Sequence, residues 1–550
     1  MEPRSAALAP FRLPVFRNIW LASLLSSFGG VIQSVGAAWL MLELTRQADM
    51  VALVQTSVAL PIVLLALLGG AVADSWDRRR VMLAAQAFML LVSVALAVCA
   101  GLGWISPWLL LLFTFLIGCG NSFNAPAWQA LVQDMVPRQQ LPSAVSLNSM
   151  GFNLARSLGP ALGGAIVALV GAAAAFAVNA LSYLGLIGVL ARWRPVDEPR
   201  LLPREPLLSA MGAGVRYVRL SPAIRTVLLR SLTFGLGASA ALALLPTIAS
   251  RLVGGGALDY GLLLGAFGIG AVLAALGSAN LRDRMSTESL VRVATLGFAL
   301  ALVMAAGSAA LWLCALAMLV AGAGWVLALS TFNVAVQLAA PRWVVARALS
   351  LYQMAAFGGL AGGSWLWGGV AEGQGLPVAL AGAAVTLVLS ALLGLLLPLE
   401  QTGQRNLDPL RQFREPATEV PVQPRTGPVV VTVEWIIEEA DIVPFLHAMS
   451  ERRRIRRRDG AHQWALLRDL NDPRLWIERF KTATWMDYLR HSSRITRDDA
   501  DVPERLRALH RGEGPPRVRR MIERPTSRLP ESHHAGHESD HHSSDPTRHV

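Results

Sequence analysis

Two stretches of this 550-residue chain carry nearly the same text 204 residues apart. Pro137-Arg138, five residues and then Ala144-Val-Ser-Leu-Asn-Ser-Met150 answer to Pro341-Arg342, five residues and then Ala348-Leu-Ser-Leu-Tyr-Gln-Met354. The register extends upstream, where Gly118, Gly120 and Gln133 recur as Gly322, Gly324 and Gln337. All of these lie in or beside very apolar segments. A hydrocarbon core of ~30 Å needs ~20 consecutive apolar residues of helix, and runs of that length begin near Asn18, Ala52, Val81, Pro107, Ala144 and Ala172. Six more begin near Ala223, Tyr260, Leu290, Leu311, Ala346 and Val378. Backbone groups in lipid must be satisfied internally, so runs this long are helices. The first 400 residues therefore read as a duplicated membrane unit of two six-helix halves.

Composition divides the chain. Hydrophobic residues make up 53% and charged residues 16% of the whole, yet beyond about Asp408 charge is dense and long apolar runs vanish. The divisions expected are an N-terminal tail at 1–17, six-helix bundles at 18–194 and 223–399 joined by a loop at 195–222, a linker at 400–428, a soluble α+β domain at 429–525 and a disordered His-rich tail at 526–550. The first apolar run continues as a full span without a small-residue cleavage site, so it reads as an anchor and not as a signal peptide.

Arginine placement sets the expected orientation, because Lys- and Arg-rich loops stay cytoplasmic. Arg12, Arg17, Arg78, Arg79, Arg80, Arg138, Arg192, Arg194, Arg204, Arg282, Arg284, Arg342 and Arg347 fall on one side, against Arg46 and Arg251 on the other. Both termini are expected in the cytoplasm. The net charge of +12 then reads as topology and membrane-surface attraction, and nucleic acid is not expected as a partner. Cys99, Cys119 and Cys314 all fall in apolar spans, where they read as small packers and not as disulfide or metal partners.

The loop after the second span carries Gly70-Ala-Val-Ala-Asp74-Ser-Trp-Asp77-Arg78-Arg79-Arg80. Gly69 and Gly70 permit close helix approach, and a carboxylate at a helix end, as Asp74 is, can accept from a neighbouring helix N-terminus or pair with arginine. Such contacts can latch one conformation. The alternative is a basic loop that only fixes topology. Asp134, at the end of the fourth span, is a possible charge partner of Arg78 or Arg79, or else an exposed helix-end carboxylate. In the second half, the text around Gly277 to Arg284 reads as having Leu281 where the first half has Asp74, so the latch is expected to be one-sided.

This loop resembles the Gly-x-x-x-Asp-Arg-x-Gly-Arg-Arg signature of major-facilitator transporters, with Ser75 and Asp77 departing from it. In the fifth span, Gly159-Pro160-Ala-Leu-Gly163-Gly164 resembles the antiporter signature of the exporting branch of that superfamily. Proline removes an amide hydrogen bond and glycines let a second helix come close, which suits a gate. The superfamily resemblance implies two halves rocking about a substrate cavity near the membrane midplane.

Arg156 lies about fourteen residues into the fifth span, which at ~1.5 Å per residue is well inside the bilayer. A charge at that depth costs at least ~2.5 kcal/mol and by default faces a cavity or a partner. It is expected to bind an anionic group of the substrate or a carboxylate in the cavity, the alternative being an arginine satisfied by carbonyls at the bundle interior. Gln33, Asn121, Asn124 and Gln353 are polar positions within spans, read either as cavity lining or as hydrogen-bonding glue between helices. Proton coupling is harder to place. The superfamily's fourth-span arginine is Thr114 here, no acidic residue sits in mid-span, and Glu43, Asp259 and Glu372 lie near the outer ends. A transmembrane proton gradient is implied by the resemblance alone, with no bound cofactor or metal.

Strand and helix patterns over Val429–Ile437, Asp441–Arg457, Ala461–Leu470, Leu475–Thr482, Trp485–Ser493 and Arg517–Glu523 predict a ferredoxin-like unit. The stretch Arg457 to Trp464, with Glu478 to Phe480 and Trp485 to His491, resembles the dimeric α/β-barrel domains related to antibiotic-biosynthesis monooxygenases. Such a domain follows the transporter in a subfamily of siderophore and drug exporters. The resemblance implies dimerisation or regulation. The competing expectation is an enzyme or sensor anchored to the membrane, with His462 and His491 as pocket groups, but no nucleophile-base pair or metal spacing is present. The function expected is a proton-driven exporter of small hydrophobic or siderophore-like molecules in the bacterial inner membrane, and not an enzyme. Facilitated uptake is the runner-up.

Overall fold

The computed structural model describes residues 9–136, 140–193, 207–341, 343–400 and 416–524. Arg138, Arg194, Arg204, Arg342 and the His-rich segment 526–550 lie outside them. So do the side chains of Asp74 and Asp134, so the expected pairing of each with arginine falls outside the described residues. The chain divides into two compact units.

Among the described residues the first unit holds twelve long helices. In the first half these are α1 (Pro14–Thr45), α2 (Ala48–Ser75), α3 (Arg78–Gly101), α4 (Pro107–Met135), α5 (Leu141–Val170) and α6 (Ala172–Arg192). A shorter helix, α7 (Leu207–Leu220), forms where a loop is expected and precedes the second half. There follow α8 (Pro222–Ala243), α9 (Ala257–Arg284), α10 (Thr287–Ala306), α11 (Leu311–Ala339), α12 (Val345–Gln374) and α13 (Leu376–Leu396). Ten of the twelve are long and apolar enough to cross a membrane. The other two, α5 and α12, are repeat partners; α12 is rich in glycine, which lowers its hydropathy, and the stretch of α5 from Leu154 to Val170 is apolar as well.

Helix bounds calibrate the duplication. α4, α5 and α6 match α11, α12 and α13 at an offset of 204, whereas α2 matches α9 at 209 and the start of α1 matches that of α8 at 208. The shift of five from α2 to α4 arises because α10 has 20 residues where α3 has 24 and the loop after it is one residue shorter. It corrects one expectation: Asp283, not Leu281, stands where the first half has Asp74. Asp77 is the N-cap of α3, accepting from the amides of Arg79 and Arg80 at 2.9 and 3.4 Å. Its counterpart Ser286 caps α10 through the Ser289 amide at 3.1 Å. A capping residue accounts for the departure of Asp77 from the loop signature.

The second unit comprises residues 213–221, 338–344 and everything from Gly403 on. Its α+β fold runs β1 (Val429–Ile436), α14 (Ile442–Asp459), β2 (His462–Arg468), β3 (Leu475–Thr482), α15 (Trp485–Ser493), α16 (Asp501–Leu509) and β4 (Arg517–Ile522). The antiparallel sheet has the order β2-β3-β1-β4, the ferredoxin-like arrangement of a βαββαβ chain. Alternation along β1 sends Val429, Val431, Val433 and Trp435 to one face, where they join Phe445, Phe480 and Leu506 in the core.

Candidate substrate cavity and its closure

A cavity of about 170 Å³ lies between the two halves of the helical unit. α1 contributes Val31, Ser34 and Ala38, and α2 contributes Val51, Val54, Gln55 and Val58. From α5 come Arg156 and Pro160, and from the second half Leu242, Ala243, Tyr260, Leu264 and Phe267. The walls are apolar, with one cation, one amide and two hydroxyls among the lining side chains. Arg156 sits halfway along α5 and is half-buried. Pro160, one turn further on, also faces the cavity. That chemistry suits a largely apolar molecule that carries an anionic or hydrogen-bond-accepting group.

The glycines of α5 explain how the halves close around the cavity. A Cβ on Gly164 would lie 2.7 Å from the Ala257 carbonyl and 2.9 Å from the Gly261 Cα; one on Gly261 would meet the Pro160 carbonyl at 2.8 Å. Only glycine on both sides lets α5 and α9 cross with backbones in contact. Gly159 and Gly163 do the same against α1, at Val31 and at Ile32 and Val35. On the other side of the bundle, a Cβ on Gly368 of α12 would lie 2.6 Å from that of Ala52 of α2, and Thr56 donates to the Ala361 carbonyl at 3.1 Å.

Toward the arginine-poor ends the closure becomes polar. The Ala48 amide donates to Glu372 at 2.8 Å, and Arg251 pairs with Glu372 at 3.5 Å and donates to the Arg46 carbonyl. Trp39 of α1 stacks on Tyr260 of α9, with centroids 6.3 Å apart and planes 18° from parallel. Trp39 is fixed by its Nε1–H, which donates to Glu43 at 2.7 Å. Trp39 and Glu43 line a second space with Arg46, Arg251 and Gly255. The three outer carboxylates thus have structural partners, Asp259 accepting from the Gly256 amide at 2.8 Å.

The other sequence candidates divide. Gln33 is buried and accepts from Ser93 at 3.2 Å and from Asn179, which also donates to Ser93 at 3.3 Å and to the Tyr183 hydroxyl at 3.1 Å. This is glue between α1, α3 and α6. Asn124 accepts from Gln86 of α3 at 3.1 Å, Asn121 is exposed and Gln353 half-buried, and none of the four lines the cavity. A Cβ on Gly70 would lie 3.6 Å from the Ser350 hydroxyl of α12, while Gly69 packs against the Ser122 carbonyl. Arg78 is half-buried. Arg79 caps α6, donating to the carbonyls of Leu190 and Ala191 at 2.7 and 2.8 Å. Ser34, Gln55 and Tyr260 were missed as lining. Gln55 could have been found as an amide inside an apolar run.

In the α+β fold, Glu478 is fully buried and held by Arg452 at 2.7 Å, Arg456 at 3.4 Å and Trp464 at 3.1 Å. These partners keep its carboxyl below the usual range despite burial. Burial, and the guanidinium of Arg456 next, hold His491 well below the ordinary imidazole value. His491 packs on Phe480 and contacts Arg456, while His462 is exposed. The two histidines do not form one site. Among the described residues no group of His, Cys, Asp and Glu is disposed to hold a metal.

A family profile described as transmembrane secretion effector matches residues 5–527. The chain belongs to this family of major-facilitator transporters. Among relatives, the staphyloferrin A transporter of Staphylococcus aureus is 26% identical over 264 residues, 46% of this chain and 64% of that protein, so this match spans less than two thirds of the relative. The enterobactin exporter EntS of Citrobacter koseri is 28% identical over 410 residues, covering 73% of this chain and 94% of the relative. The structure of a bacterial homologue of the human lysosomal transporter Spinster, inward-facing and unoccupied, superposes with a TM-score of 0.58 over 70% of this chain and 97% of its own at 15% identity, a likeness of fold. The family is one of transporters and not of enzymes, and the protein is a multi-pass membrane protein.

Proposed function

We propose that this protein exports small, largely apolar molecules bearing an anionic or oxygen-rich group, siderophore-like compounds or drugs, across the bacterial inner membrane by alternating access driven by the proton gradient. The observation that carries the reading is Arg156 in the wall of an otherwise apolar cavity shared by both halves. The name of the enterobactin exporter EntS favours export. Arginines at the α3 start, the α9 end and the α12 start support cytoplasmic placement of that side and of both termini. The sheet face opposite the α+β core exposes Leu467 and Met521, which supports dimerisation through that domain.

The test is accumulation in an efflux-deficient bacterium of enterobactin, anionic carboxyfluorescein and cationic ethidium, with and without a protonophore. Expression is expected to lower accumulation of the anionic compounds, the protonophore to restore it, and Arg156→Leu to abolish the effect while Arg156→Lys retains part of it. Accumulation that rises with expression would establish uptake instead. Equal handling of all compounds by Arg156→Leu and the parent protein would remove Arg156 from recognition.

A further inference from the structure

The second unit contains more than the α+β fold: residues 213–221, the end of α7, and residues 338–344, which join α11 to α12, pack within it. Four side chains make the junction. Tyr217 and Trp343 meet edge to face, with centroids 5.5 Å apart and planes at 87°. The Arg458 guanidinium lies over the Tyr217 ring at 5.3 Å and that of Arg494 over the Trp343 ring at 4.0 Å. Tyr217 is buried, as are Val218, Ala340 and Val344 beside the pair.

Both arginines are fixed from behind by one residue. Arg458 donates from Nε to the Asp459 carboxylate at 2.9 Å and from Nη2 to Asp499 at 2.7 Å. Arg494 donates to the Asp459 carbonyl at 3.0 Å. Asp459 is itself fully buried and Asp499 nearly so. A guanidinium held in this way presents its face to an aromatic ring with little rotamer freedom left to lose, which strengthens the cation–π contact. Gly460, at φ +124°, fits beside the pair, a Cβ there meeting Arg216 at 3.3 Å and Arg494 at 3.6 Å. The duplication gives an internal control, since the residue equivalent to Trp343 in the first-half loop is Gln139.

We infer that the α+β domain is a clamp on the α11–α12 connection, Arg458 and Arg494 gripping Tyr217 and Trp343, and that through this connection it restrains the movement of α12 during transport. α12 is the helix that meets α2 through Gly368 and Glu372, so a hold on the connection that leads into it would bear on the closure of the cavity. The inference rests on transport by the helical unit and not on any particular substrate.

Hydrogen exchange on the full-length protein in lipid nanodiscs tests the grip without reference to transport. Arg494→Ala is expected to speed exchange in peptides covering 213–221 and 338–344 roughly tenfold, the size of a desolvated cation–π contact. Trp343→Leu is expected to do the same for 457–462, and the double variant no more than either single one. Tyr217→Phe keeps the ring and stays near the parent rate, which separates loss of the grip from misfolding. Unchanged exchange at 338–344 in Arg494→Ala, or strictly additive effects, overturns the clamp. The restraint is read from initial rates of carboxyfluorescein and ethidium efflux, expected to rise in Arg494→Ala with KM unchanged for whichever dye is carried. Faster exchange with no change in rate would overturn the restraint. A protein that carries neither dye leaves the exchange result standing and counts against the proposed substrate class alone.

Discussion

The two halves of the helical unit share a scaffold but not the means of holding it together. In the first half, Gln33, Ser93, Asn179 and Tyr183 tie α1, α3 and α6 through hydrogen bonds buried from solvent. The equivalent positions in the second half are Ala241, Leu302, Ala383 and Leu387, all fully buried. The pairing of Gly29 with Asn179 and of Gly237 with Ala383 and Leu387 fixes this correspondence. At the arginine-rich end the contrast reverses. There the first half uses Arg79 against two helix-end carbonyls, while the second buries Arg230 against Glu288 at 3.2 Å, with Arg292 alongside and Glu288 also accepting from the Leu399 amide at 3.0 Å. Duplication conserved where helices cross. It left open whether a given contact is apolar, polar or ionic.

Four experiments would break or sharpen this contrast. The largest effect is expected for Glu288→Ala, which leaves Arg230 buried without its carboxylate and should cost about 3–5 kcal/mol. Arg79→Ala, at the matching place in the first half, should cost only about 1 kcal/mol. Thermal unfolding of the detergent-solubilised protein distinguishes them, and equal shifts would end the claim that the halves differ there. Gly164→Val and Gly261→Val sit on opposite sides of one crossing. Each should cost about 1–3 kcal/mol by overpacking and stop transport, and a tolerated change on one side would show that the crossing is not tight.

Third, Asn179→Ala should cost about 1–3 kcal/mol by orphaning the groups around it. Ala383→Asn should cost about as much in reverse, for want of any partner among alanine and leucine. If Ala383→Asn were neutral, the second half would have hidden polar capacity. The smallest effect carries the comparison to the α+β domain, where charge is also buried. The folded-state value of His491 lies below its unfolded one, so its contribution is present above about pH 6.5 and is lost as pH falls below it. Protection of β3 amides from exchange should therefore drop between about pH 7 and pH 5 more in the parent protein than in His491→Gln. A drop of the same size in both would assign the pH dependence to another group.

Much of this was legible because hydrophobicity and turn chemistry act locally. The spans, the α+β order of strands and the glycines of α5 follow from runs and spacings that need no knowledge of distant residues. Helix α16 escaped notice because its acidic start resembles a loop, and α7 because it is short and abuts a basic segment. The cavity was only partly legible. Arg156 announced itself as a charge in an apolar run, and Pro160 came with its motif, but Ser34 and Tyr260 become lining residues only once α1 and α9 are set face to face. Gln33 shows the converse: a lone amide in a span does not reveal whether it faces a cavity or a neighbouring helix, and Asn179, 146 positions away, decides it.

The crossing of Gly164 and Gly261 has a mechanical consequence. Each glycine lies near the arginine-poor end of its helix, Gly164 six residues from Val170 and Gly261 four from Ala257. At ~1.5 Å per residue the short arm of α5 is about 9 Å and the long arm, back to Leu141, about 35 Å. Bare backbone meets bare backbone there, with the peptide groups already bonded within their own helices, so tilting one helix over the other breaks no hydrogen bond. If the proposed rocking turns about this contact, the lever ratio is roughly four, and a small roll at the closed end would become a wide swing at the far one.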